Sequence, residues 1–96
     1  MYNDLNLTGQ SVTLSFDNPR TIVHSAVANS TVVIPAIIKP KQMLSVCNKS
    51  DVAITLTSST DEINYSQSEP ASFTVPAGKV CHLESICLGM WSVYND

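Results

Sequence analysis

Two histidines, three cysteines and one pair of adjacent acids are the side chains of this sequence equipped for chemistry. A metal centre needs several His, Cys or carboxylate ligands converging on one point. Cys81-His82, taken with Cys87 and Cys47, is the one grouping that approaches this, and no CxxC or HxxxH spacing is present. Neighbours on a strand point to opposite faces, so Cys81 and His82 are not expected to share a ligand. Nucleophilic catalysis needs a Ser or Cys beside a base that a third group orients. His24 and His82 are the only histidines, neither stands in a motif such as GxSxG, and nothing singles out Cys47 or Cys81 as a nucleophile. Gly9, Gly78 and Gly89 are too scattered to cradle a phosphate. Asp61-Glu62 reads as a solvated loop tip rather than an acid–base pair. The expectation is no enzyme, with no catalytic, metal-binding or cofactor-binding residue and no cofactor.

Binding is a different matter. Tyr65, Trp91 and Tyr94 are candidate ligand-facing aromatics, because a sugar ring can lie against an exposed aromatic face. Against this, Trp91 is the sole tryptophan of a small chain and falls in a predicted strand, where a large apolar ring is expected in the core. The cysteines read as buried reduced thiols behaving as small apolar groups. An odd count leaves at least one without a partner in the chain. A Cys81–Cys87 bridge is possible by spacing, and sequence does not supply the geometry it needs.

The elements that carry these residues are strands. Apolar and polar side chains alternate along most of the chain, which places alternate residues on opposite faces of a sheet. Val12, Leu14 and Phe16 share one face of Ser11–Phe16, and Asp17-Asn18-Pro19 turns the chain. Further strands are expected over Thr21–His24, Thr31–Ile38, Met43–Cys47, Val52–Thr57, Ser72–Val75, Lys79–Glu84 and Met90–Tyr94. Pro35 cannot donate to a ladder, so its strand is expected at an edge or to leave the sheet there. Ile63-Asn64-Tyr65 reads as a short strand or anchor. About eight short antiparallel strands with regular turns predict an all-β fold, a small β-sandwich or jelly-roll-like barrel. The expected organisation is an N-terminal arm over residues 1–10 and a single domain over 11–96.

Composition narrows the partners. The net charge is −3, and Arg20, Lys39, Lys41, Lys49 and Lys79 are the only basic residues, which argues against nucleic acid. Charged residues make up only 14% of the chain against a usual ~25%. Such a composition describes a surface of β-strands and turns, or one that partly packs against other chains. No apolar run reaches the ~20 residues of a membrane helix. The start, MYNDLNLTGQ, lacks the basic and apolar regions of a signal peptide, so synthesis and assembly in a cytoplasm are expected.

Thr31-Val-Val-Ile-Pro-Ala36, Leu44-Ser-Val-Cys-Asn-Lys-Ser50, Ala53-Ile-Thr-Leu-Thr57, Ile63-Asn64, Phe73-Thr-Val-Pro-Ala-Gly-Lys-Val80 and Trp91-Ser-Val-Tyr94 follow one another in order. This succession resembles small β-modules of tailed-bacteriophage virion proteins, among them fibres, tailspikes and capsid-surface proteins. Such modules are commonly trimeric and structural. The chain departs from fibres in lacking coiled-coil heptads, shaft repeats and a separate receptor-binding domain. The resemblance therefore implies a capsid decoration (cement) protein that binds and stabilises the capsid surface as a homotrimer. It implies the major capsid protein as partner and the virion, assembled in the bacterial cytoplasm, as location. Met1, Tyr2, Leu5 and Leu7 are the candidate assembly arm. The alternative is a tail fibre, adaptor or glycan-binding receptor module, with a solvent-facing cluster of Tyr65, Trp91 or Tyr94.

Overall fold

Period-two alternation dominates the sequence, and among the described residues strands are the only regular elements that form from it. The computed structural model describes residues 3–28, 30–58, 60–64 and 71–96. Among these are ten strands and no helix: β1 (Asn3–Asn6), β2 (Val12–Thr13), β3 (Arg20–Ser25), β4 (Thr31–Val33), β5 (Met43–Asn48), β6 (Ile54–Ser58), β7 (Glu62–Ile63), β8 (Ala71–Val75), β9 (Val80–Cys87) and β10 (Met90–Asn95). The all-β expectation holds. Six strands form one sheet in the order β1-β3-β5-β9-β10-β7, and four form the other in the order β2-β4-β6-β8.

The pairing corrects the antiparallel expectation. Both sheets are mixed: β1, β3 and β5 run parallel, as do β2, β4 and β6, and as do β7 and β10. Antiparallel pairs join β5 to β9, β9 to β10, and β6 to β8. The cause lies in the path. From β1 to β6 the chain alternates between the sheets, so Asn3 pairs with Thr21 and Arg20 with Ser45, each a full winding later. Parallel neighbours need a long crossover, and here the opposite sheet supplies it. Alternation in sequence reports which face a residue takes, not the direction of its neighbour. For the same reason β5 and β6, which follow one another across a short connection, belong to different sheets.

Both sheets contribute to one apolar core. Val23, Val46, Leu83, Trp91 and Val93 of the larger sheet cluster with Val32, Ile54, Leu56 and Val75 of the smaller. Trp91 is fully buried and stacks on Phe16, with ring centroids 6.0 Å apart. Leu7 and Leu14, just past β1 and β2, are also buried in this cluster. Part of the segment expected as an N-terminal arm thus also packs on its own domain. Leu5 pairs with Val23 in β3, Leu7 donates its N–H to Ser25 at 2.8 Å, and Leu7 is only 2% exposed. Met1 and Tyr2 lie outside the described residues.

Two polar residues hold the ends of strands. Asn48, fully buried at the end of β5, donates from Nδ2 to the carbonyls of Val52 (2.9 Å), Val75 (3.1 Å) and Pro76 (3.2 Å). Its Oδ1 accepts from the Ser50 N–H at 3.1 Å and from the Ser50 hydroxyl at 2.5 Å. One amide thus ties the larger sheet to the start of β6 and the end of β8 in the smaller. Asn64, at φ 52°, places its side-chain amide against the backbone of Val93, with both bonds at 2.7 Å. It extends the two-residue strand β7 by imitating a peptide unit.

Remaining local expectations divide. β4 ends at Val33, before Pro35, as the missing donor requires, yet it lies between β2 and β6 rather than at an edge. Gly78 and Gly89 take φ values of 77° and 86° in the turns before β9 and β10, where a Cβ would strain the backbone. Asp61 is not a solvated tip. It is 7% exposed, and its Oδ2 accepts the Ile37 N–H at 2.8 Å.

Candidate functional site

The residues with chemical potential are dispersed by this topology. Cys81 faces the core and His82 the opposite side of the sheet, as adjacent positions of β9 dictate. Burial pushes the Cys81 thiol up to about 12, so it stays protonated and inert at neutral pH. Cys47 is half-buried and Cys87 exposed, and all three thiols are free. A Cys81–Cys87 bridge is excluded by geometry. Six steps of about 3.3 Å along one strand separate their Cα atoms by roughly 20 Å, three times the reach of a disulfide. Among the described residues no three His, Cys, Asp or Glu side chains gather as metal ligands.

Each histidine has an acid for a neighbour. His24 Nε2 lies 2.8 Å from Asp4 Oδ1, across the β1–β3 pair, and His82 Nε2 lies 3.5 Å from Asp96 Oδ2. Among the described residues neither ring has a hydrogen bond to a serine or cysteine. The base–nucleophile contact of covalent catalysis is not formed there.

The aromatics separate as well. Trp91 belongs to the core and Tyr65 lies outside the described residues. Tyr94 is 57% exposed on the outer face of the larger sheet, its ring tilted against His82 at 5.3 Å. That face carries an arrangement which the separate strands did not disclose. Arg20 pairs with Ser45, Ser45 with His82, and His82 with Tyr94, so four neighbouring strands present one residue each in a single row. A second row, Met43, Glu84 and Ser92, runs beside it. Pro19, Arg20, Met43, Leu44, Ser45 and His82 line a cleft of about 410 Å³ over the β3–β5–β9 part of this face.

Alternation alone places Ser45 and His82 on outward faces. The missing information was the parallel β3–β5 register, which sets Arg20 beside Ser45. Compared with known proteins, the chain matches no family model and no curated sequence. The geometry and the sequence pattern are therefore what a functional reading stands on.

Proposed function

We propose that this protein is a structural module that works by being built into a larger assembly. On the resemblance of its strand-and-turn succession to tailed-phage virion modules, we take it to be a capsid decoration protein acting as a homotrimer on the major capsid protein. The observation that carries the assembly reading is the state of the sheet edges. The parallel run stops on the β5/β6 side at antiparallel β9 and β8. On the other side it ends, among the described residues, at β1 and β2, which are edge strands of their sheets, as are β7 and β8 at the opposite ends. Terminal windings of a stacked β structure call for a cap, and an open strand edge is a template for another chain. Because Leu7 bonds to β3, alternation turns the backbone groups of Asp4 and Asn6 toward the open side. A surface low in charge, with Ile38 and Leu88 largely exposed, suits association through apolar burial.

Light scattering in reducing buffer tests this. The expected mass is three times the 10.4 kDa of the chain. Asp4→Pro removes an edge N–H that faces away from β3 and is expected to yield a folded monomer. A monomeric parent overturns the homotrimer. A trimer that survives Asp4→Pro overturns the β1 edge as its interface.

A second reading, a receptor-binding or adaptor module of the tail, is favoured by one specific observation. Tyr94 and His82 form an exposed ring pair beside a cleft, which is the surface a glycan-binding module requires.

A further inference from the structure

We propose that the cleft on the outer face of the larger sheet binds an oligosaccharide bearing a carboxylate, with Arg20 holding the acid and Tyr94 the neighbouring ring. This rests on the second reading above and names the ligand class for it. The volume of about 410 Å³ falls within the range of about 300–1,000 Å³ that small-molecule sites occupy. What distinguishes the cleft is the chemistry of its row.

Arg20 stands at one end with an exposed side chain and no carboxylate within ion-pair distance among the described residues. Guanidinium presents a planar fork that matches a carboxylate with two parallel hydrogen bonds. The other acids near this face do not fill that role. Asp4 is taken by His24 and Asp96 lies against His82, while Glu84 stands in the adjoining row opposite Met43. Ser45 and His82, in the middle of the row, supply for sugar hydroxyls a hydroxyl and the ring nitrogen that Asp96 leaves free. Tyr94 closes the row with an exposed ring that a pyranose can cover.

Spacing sets the size of the ligand. Arg20 and Tyr94 lie three strand intervals apart, roughly 14 Å at the usual spacing. Allowing for the reach of the arginine side chain, that span suits two linked rings better than one. A sugar acid joined to a second pyranose places its carboxylate on Arg20 and its neighbour over His82 and Tyr94. Met43, 61% exposed beside the row, offers a pliable apolar wall.

The test is a titration of the whole chain, followed by amide NMR shifts. The probes are disaccharides carrying one terminal glucuronate or N-acetylneuraminate, each paired with its carboxyl-reduced counterpart. The expected result is saturable shifts at Ser45, His82 and Tyr94 with at least one acidic probe. Carboxyl reduction, Arg20→Gln and Tyr94→Ala are each expected to weaken binding about tenfold or more. Arg20 and Tyr94 are exposed, and unchanged spectra away from the cleft will show that their variants fold. No shift with any probe at millimolar concentration overturns the proposal and the receptor reading with it. Equal binding of acidic and reduced probes, or no loss in Arg20→Gln, overturns the carboxylate site and leaves the receptor reading standing.

Discussion

Replacing Asn48 with alanine should be among the most damaging single changes to a polar residue in this protein. The side chain is fully buried, and its two N–H groups serve three carbonyls, so one proton is shared. The acceptors keep other donors when the amide is gone. The single Ser50 hydroxyl proton, released from Asn48 Oδ1, can turn to the Val52 carbonyl 2.9 Å away, and the Lys79 N–H still reaches the Pro76 carbonyl at 3.2 Å. The Val75 carbonyl keeps its place opposite Ile54 in the β6–β8 ladder, so the Ser50 N–H, which loses its acceptor, is the group left stranded. A stranded buried group costs about 1–3 kcal/mol, and each remaining bond contributes a net ~1 kcal/mol. Asn48→Ala should therefore cost about 3 kcal/mol, a large share of the ~5–15 kcal/mol that stabilises a typical domain. In a chain this short that lowers Tm by about 10–25 °C. Urea unfolding of the parent and Asn48→Ala provides the measurement, with Asn48→Asp as a partner that keeps the acceptor and loses the donor. Asn48→Asp should fall at least as far. A loss below ~1 kcal/mol with an unchanged m-value would refute the idea that this amide joins the two sheets.

Four further outcomes follow from the core, the thiols and the turns. Trp91 should emit at short wavelength, resist acrylamide quenching until the protein unfolds, and cost about 3–5 kcal/mol as Trp91→Ala, read by denaturant melts. Native protein at pH 8 should react with a thiol reagent at Cys87 first and leave Cys81 unmodified, as peptide mapping will show. Because burial raises Cys81 from 9.0 to about 12, the unfolded chain releases its proton first as pH rises. Its contribution to stability is thus intact below pH 9 and declines between 9 and 12, by about 1.4 kcal/mol per pH unit at most. The part of the alkaline decline due to this thiol should vanish in Cys81→Ala. Gly78→Ala and Gly89→Ala meet no atom within 4 Å and should each cost only the left-handed backbone penalty, about 1–2 kcal/mol by urea melts.

Much of the strand content was legible because the side-chain period of a half-buried strand is two. In β6, Ile54 and Leu56 are buried while Thr55 and Thr57 are half-exposed, the division that alternation predicts. Pro35 and Gly78 marked a strand end and a turn through backbone chemistry that any context preserves. Strand direction was not legible, since parallel and antiparallel neighbours demand the same alternation. The long return that allows parallel pairing was concealed because the intervening residues are themselves strands of the other sheet. Asp61 was misjudged as solvated because an acid in a polar loop carries no sign that Ile37 will turn its N–H toward it. The Arg20–Ser45–His82–Tyr94 row failed to appear for the same reason as the topology. Each residue is unremarked on its own strand, and only register brings them together.

The edge and the cleft make separable demands on the same sheet. A strand added beside β1 extends the larger sheet in its own plane through backbone groups and leaves the outer face uncovered. The cleft row begins at β3, one strand in from that edge, and is read through side chains standing perpendicular to the sheet. Assembly through β1 therefore presents the row to solvent instead of consuming it, and a trimer would carry three copies. Multivalent display strengthens weak single-site binding by raising the effective concentration of the second site. Asp4→Pro should accordingly abolish the oligomer, leave the shifts induced by an acidic disaccharide at each cleft unchanged, and lower the apparent affinity for a multivalent acidic polymer. Arg20→Gln should do the converse, removing the disaccharide response while the mass in solution holds. If Asp4→Pro also erased single-site binding with its fold intact, the cleft would have to be completed by a neighbouring copy, and the independence of edge and face would be wrong.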